Sequence, residues 1–186
     1  SHRAEIAVLV VGLTGFADFE AQAAPEDVTD VLRQLHDATG RLVHAHEGTV
    51  GSFAADRVMV FLNDPLPTRR PALAAAQLGL ALREMVGGLA TLWRRSGRGL
   101  GFHAGIAYGY ATLGTMGFEH RLDYGAVGPV VTRANALCDA AGEGVLLLEQ
   151  RARVAVEDHM AVEPADDITV AGRAEPAFAL AGRRDG

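Results

Sequence analysis

The pattern opens with Glu5 to Val11 (EIAVLVV), an unbroken apolar run of strand length after its first residue. With no alternation toward water, it predicts a strand buried on both faces. Gly12-Leu13-Thr14-Gly15 ends it. Ala24-Pro25-Glu26-Asp27 then reads as a helix start, with proline in the first turn and two carboxylates at the positive end of the helix dipole. Val28, Val31, Leu32, Leu35, Leu42 and Val43 continue at helical spacing to about His46, with Gly40 open to breaking the helix.

Further on, Thr49–Ala54 and Val58–Leu62 read as a hairpin turning at Ala55-Asp56-Arg57. Asn63-Asp64-Pro65-Leu66-Pro67 and Pro71 predict a rigid loop. Ala72 to Arg95 is a second long helix, with Gly87-Gly88 its weak spot, closed by Ser96-Gly97-Arg98-Gly99. A strand is expected from Phe102 to Tyr108, then a stretch with glycines at 105, 109, 114 and 117, and a helix from Val130 to Ala141. Gly144–Leu148 predicts a strand, Gln150–Val156 a short helix, and Met160–Val162, Ile168–Val170 and Pro176–Leu180 short terminal strands. Helices alternate with strands early and strands cluster late, which predicts an α/β or α+β sandwich around one main sheet.

At 186 residues, 49% of them hydrophobic, the chain can bury a core of its own and is expected to form one domain over residues 5–182, with tails at 1–4 and 183–186. Ser1-His2 is compatible with a cloning remnant, and the domain is expected to come from a longer protein with other domains. A net charge of −6 gives no support for a nucleic-acid partner. The basic clusters Arg69-Arg70 and Arg94-Arg95 with Arg98 read as solvated turns. Cys138 is the single cysteine, so no disulfide forms within the chain, and it reads as a small buried hydrophobe. No run reaches the roughly 18 to 20 apolar residues of a membrane helix, so this segment is expected to avoid the membrane and sit in the cytoplasm. His44 and His46, spaced by two on a helix, point to different faces and not to a metal pair.

Three stretches carry chemistry: EGTVGSFAADRVMVFLNDP, GIAYGYATLGTMG and RLDYGAVG. In this order and spacing, with EPAFALAG closing the chain, they resemble the class III adenylate/guanylate cyclases over about Glu5 to Gly182. The resemblance implies an α+β, ferredoxin-like fold: a central, mostly antiparallel sheet with flanking helices. It also implies a head-to-tail dimer, homodimeric or with another cyclase domain, in a bacterial-style cyclic-nucleotide signalling protein. In that family two aspartates of one subunit hold two Mg²⁺ or Mn²⁺ ions on a nucleoside triphosphate. The partner supplies a lysine and an aspartate or threonine that read the base, and an asparagine and an arginine that stabilise the transition state.

Matched to this sequence, the first metal aspartate falls on Gly12, and the second is kept as Asp56, the one position left for residual metal contact, although a polar hairpin tip favours aspartate whatever its function. The glycine that often follows is Arg57. The base-reading lysine falls on Ser52 and its partner on Gly125; the asparagine falls on Thr132 and the arginine on Ala136. A slip of register would bring Arg133 or Asn135 in, with their order reversed. The expectation is therefore a cyclase-homology domain without catalysis or resident cofactor, used as a dimerising regulatory module, in which Arg57 neutralises Asp56 in place of metal. The alternatives are a divergent cyclase that needs a partner chain, metal and nucleoside triphosphate, and a nucleotide or small-ligand sensor.

Overall fold

The computed structural model describes residues 1–184. The chain runs β1 (His2–Thr14), α1 (Phe16–Gln22), α2 (Pro25–Ala45), β2 (Thr49–Ala54), β3 (Arg57–Leu62), α3 (Pro71–Arg95), β4 (Gly101–Phe118), β5 (Arg121–Val127), α4 (Pro129–Ala140), β6 (Val145–Leu148), α5 (Gln150–Val156), β7 (Met160–Val170) and β8 (Arg173–Arg183). One sheet holds the strands in the order β2-β3-β1-β4-β6-β8-β7, with β5 paired to the far half of β4. Every pairing is antiparallel except β4 with β6. The fold is α+β, as the sequence pattern predicts.

β1 lies at the centre, between β3 and β4, and its residues from Ile6 to Val11 are fully buried. Alternate side chains leave opposite faces of a strand. Ala7, Leu9, Val11 and Leu13 therefore join α2, α3 and α5 in one core, and Ile6, Val8 and Val10 join α4 in the other. α2 and α3 are tied across their polar seam by Trp93, whose Nε1 donates to Gln34 Oε1 at 2.7 Å. The C-terminus of α3 turns at Gly97, whose φ of 77° lets the amide of Arg98 return to the carbonyl of Trp93 at 2.9 Å.

Several expectations are corrected. Residues 2–4 are strand and not tail, because β1 pairs with β4 from His2↔Leu113 onward. β8 likewise takes in Arg183, and residues 185–186 of the expected C-terminal tail lie outside the described residues. α2 passes through Gly40 and α3 through Gly87-Gly88 without a break. α1 was not expected. The short strands at the end are two long ones, β7 and β8, joined by a tight turn at Ala171-Gly172. β4 is 18 residues long, so Gly105, Gly109, Gly114 and Gly117 lie within it and do not end it. At Gly105 the backbone of α4 sits directly on the strand: a Cβ there would be 2.5 Å from Leu137 Cβ and 2.6 Å from Cys138 N.

Candidate functional site

Four elements meet on the α4 side of the sheet: the end of β1, the β2–β3 hairpin, the β4–β5 pair and α4 itself. Their positions follow from register. Val11 pairs with Val58, so the hairpin turn at Ala55-Asp56 stands beside the end of β1, where Gly12 is buried. Gly12 pairs on its other side with His103 of β4.

His103 fills the ground that a side chain at Gly12 would need. A Cβ built on Gly12 would lie 2.7 Å from His103 Nε2. The ring is held in that place from α4, because His103 Nδ1 donates to the carbonyl of Cys138 at 2.7 Å. Cys138 is fully buried, and burial pushes its thiol up to about 12. It is inert packing, as the sequence suggests.

Asp56 is half-buried on the hairpin turn, and its neighbour Arg57 turns toward α4. Arg57 Nη2 donates to Asp139 Oδ1 at 2.5 Å and Nη1 to Asn135 Oδ1 at 3.3 Å. Burial works against the guanidinium charge. The bond to Asp139 and the fields of Asp139 and Asp56 outweigh it and hold Arg57 above its ordinary value. Neither Asp139 nor His103 was expected from sequence. A pairing across 82 residues, like a cross-strand neighbour, leaves no local signal to find.

The remaining positions separate into two places. Ser52 is exposed beside an irregularity in β2, where the register shifts between Val50 and Ser52, and Gly125 lies in β5 opposite Gly114. Both line one open groove of about 720 Å³, whose walls include Val50, Met59, Phe61, Met116 and Tyr124 together with the charged Arg121 and Asp123. The groove thus brings together the two positions that would read a base, and neither offers a charged or amide group. Tyr124, beside Gly125, fixes β5 by donating its hydroxyl to Asp64; burial and that bond push its phenol up to about 12.

Thr132 and Ala136 share a face of α4, one turn apart, with Thr132 exposed. The register slip finds no support. Arg133 leaves that face for β8, where its Nε and Nη2 each donate to Glu175 at 3.0 Å. Asn135 is held by Arg57 and by the carbonyl of Val131. Of the expected residues, then, Gly12 and Asp56 are neighbours, Ser52 and Gly125 share a groove, and Asp56 alone carries a carboxylate.

A pair of divalent cations does not fit this corner. Gly12 provides no side-chain oxygen, His103 stands where one would project, and Asp56 shares its turn with a guanidinium. No group of three or more His, Cys, Asp or Glu able to hold a metal occurs among the described residues. Among them, too, no helix is long and apolar enough to cross a membrane.

Residues 1–181 match the family model of the adenylate and guanylate cyclase catalytic domain. Adenylate cyclase 1 of Rhizobium meliloti is 30% identical over 136 residues, which are 73% of this chain and 20% of that protein. The chain thus spans about a fifth of the length of that relative. The crystal structure of the adenylyl cyclase CyaB from P. aeruginosa superposes with a TM-score of 0.93 at 28% identity, covering 98% of this chain and 96% of that one. The dimeric guanylyl cyclase domain of the RhoGC fusion protein from Blastocladiella emersonii superposes with a TM-score of 0.87, covering 99% of this chain and all of that one. At 14% identity it shares the fold alone.

Proposed function

Because the chain belongs to the adenylate and guanylate cyclase catalytic domain family, we propose that it is a member that has kept the family's scaffold without its catalysis. It acts as a dimerising regulatory module of a signalling protein. The observation that carries this reading is the side chain of His103 lying where a metal-holding carboxylate at Gly12 would have to project.

The remaining losses point the same way. Cyclisation sends the ribose 3′-oxygen onto the α-phosphate, and the charge that builds there must be offset by cations and fixed donors. Removing one such donor costs about 10²–10³ in rate, and an arginine serving phosphoryl transfer can be worth about 10³–10⁵. Here the donor and arginine positions hold Thr132 and Ala136, and Arg133 is engaged by Glu175 on another element. Such losses do not multiply, since the groups act as a unit, but together they take the rate to background.

The scaffold supports the dimerising role. Beyond Leu113, β4 pairs among the described residues with β5 alone, and the pair carries Phe118 and Leu122 largely exposed at its end. Apolar exposure of this kind on a two-stranded arm favours a protein partner: a second copy, or another cyclase domain of the same protein or cell.

A second reading, a divergent cyclase acting on ATP or GTP, draws on the similarity to CyaB of P. aeruginosa across 98% of the chain. On that reading the chain works with a partner that brings the missing groups. The two separate on one experiment: purified chain, alone and mixed with a cyclase domain of the same organism, is incubated with Mn²⁺ and ATP or GTP. No cyclic nucleotide is expected from the chain alone, and none in the mixture beyond what the partner makes by itself; additional turnover abolished by Asp56→Ala in this chain would end the first reading.

A further inference from the structure

The corner that cannot take divalent metal already holds a cation of its own. Arg57 projects from the hairpin to Asp139 and Asn135 of α4, and Asp56 precedes it in the turn and adds its field. From the other helix layer, α2 reaches the same turn. His36 Nε2 bonds to the carbonyl of Ala55 at 2.9 Å, and its ring meets Phe53 edge-on with centroids 5.2 Å apart. The four residues Ala54–Arg57 are thus gripped from both faces of the sheet, by α2 through His36 and by α4 through Arg57.

We propose that the Arg57 guanidinium is the resident cation of this domain: it takes the electrostatic place of a divalent ion between Asp56 and Asp139 and docks the hairpin onto α4 with no ligand bound. This rests on the reading of the domain as catalytically silent. A guanidinium suits the task because its planar fork bonds a carboxylate and an amide at once. It also never leaves, whereas Mg²⁺ held by one or two carboxylates depends on phosphate oxygens to complete its shell. The consequence is a domain whose hairpin geometry is independent of metal and nucleotide. That independence is what a dimerising module needs in order to stay assembled whatever the nucleotide supply.

The arrangement contains its own test. The guanidinium bonds the Asp139 carboxylate and the Asn135 amide oxygen and feels the field of Asp56, so removing its charge leaves these oxygen donors without their cation. Thermal melting of the intact chain, without nucleotide, is compared in MnCl₂ and in NaCl of equal ionic strength. The unmodified protein is expected to melt at the same temperature in both. Arg57→Ala is expected to melt lower in NaCl and to regain about 2–4 °C in MnCl₂, a shift well resolved for a chain of this size. Arg57→Gln keeps an amide donor for Asp139 and serves if the alanine variant does not fold; it too should acquire the Mn²⁺ response. Adding Asp56→Asn to either variant should abolish that response.

An unmodified protein that is itself stabilised by Mn²⁺ and loses this with Asp56→Asn overturns the proposal. So do Arg57 variants that respond to Mn²⁺ no more than the parent. With no nucleotide in the cell the melt reads the cation alone, whereas silence of the domain is read by product formation, so either idea can fail without the other.

Discussion

His103 and Gly12 face each other across the β1–β4 ladder, and the imidazole Nε2 stands 2.7 Å from the point where any side chain at residue 12 would begin. The carboxylate is therefore doubly opposed: the residue that would carry it is a glycine, and the His103 ring would have to move to admit a side chain there. Gly12→Asp must push the ring off the carbonyl of Cys138, which it holds at 2.7 Å. We expect this substitution to destabilise the fold by about 1–3 kcal/mol, as overpacking of a filled interior does. Adding His103→Ala should recover part of that loss in urea denaturation. A single substitution as stable as the parent contradicts the filled-space account.

Restoring the family's residues is predicted to fail unless the blocking groups go too. The set Gly12→Asp, Ser52→Lys, Gly125→Asp, Thr132→Asn and Ala136→Arg leaves His103 over residue 12 and Arg57 beside Asp56. It should give no cyclic nucleotide. The same set with His103→Ala and Arg57→Gly is the version expected to gain measurable turnover with Mn²⁺. Equal activity with and without the last two changes would show that neither residue obstructs anything.

Glu149 caps α5 with its own carboxylate. It is almost fully buried at the start of α5, where its carboxylate accepts from the amides of Arg151 at 2.7 Å and Ala152 at 2.8 Å. It also accepts from the amide of Tyr108 on β4 at 3.0 Å. Glu149→Ala removes a cap and strands a strand amide, so the expected loss is about 2–4 kcal/mol, from a capping contribution of about 1 and an orphaned polar group worth about 1–3. Urea midpoints compare the two proteins, and a loss below about half a kcal/mol would contradict the triple contact.

The Arg133–Glu175 bridge gives a pH dependence with a definite sign. Its bond to Arg133, only partly opposed by burial, holds the Glu175 carboxyl below its ordinary value. A depressed carboxylate contributes stability that is complete above the unfolded value, near about 4.3, and is lost as pH falls through the folded value. Both side chains are partly open to water, so the contribution is discounted to about 1 kcal/mol or less. Glu175→Gln should be less stable than the parent at neutral pH, and the gap should close below about pH 4. A gap that persists in acid would place the effect in packing and not in charge.

The architecture was legible where apolar patterning is local. The Glu5–Val11 run announced a central strand because its residues are buried on both faces, and the helix at Gln150–Val156 was bounded correctly. α1 escaped because it is seven residues long and starts at Gly15 with no side-chain cap. β4 runs past the expected end at Tyr108 through glycines that serve close approach, Gly105 admitting α4 and Gly117 passing the carbonyl of Arg121. β7 was split because Asp166 and Asp167 fall at a register irregularity on an edge strand, where alternation lapses. At the site, the missing groups were visible residue by residue. What replaced them was not, since the partners of Gly12 and Arg57 are set by strand register and by contacts some 80 residues apart.

The account stands or falls on product formation. Purified chain incubated with Mn²⁺ and ATP or GTP, with cyclic nucleotide quantified by mass and the oligomeric state followed by light scattering, tests it most directly. A dimer that produces no cAMP or cGMP above the protein-free blank is the predicted result. Sustained production of either, lost on Asp56→Ala, would contradict it.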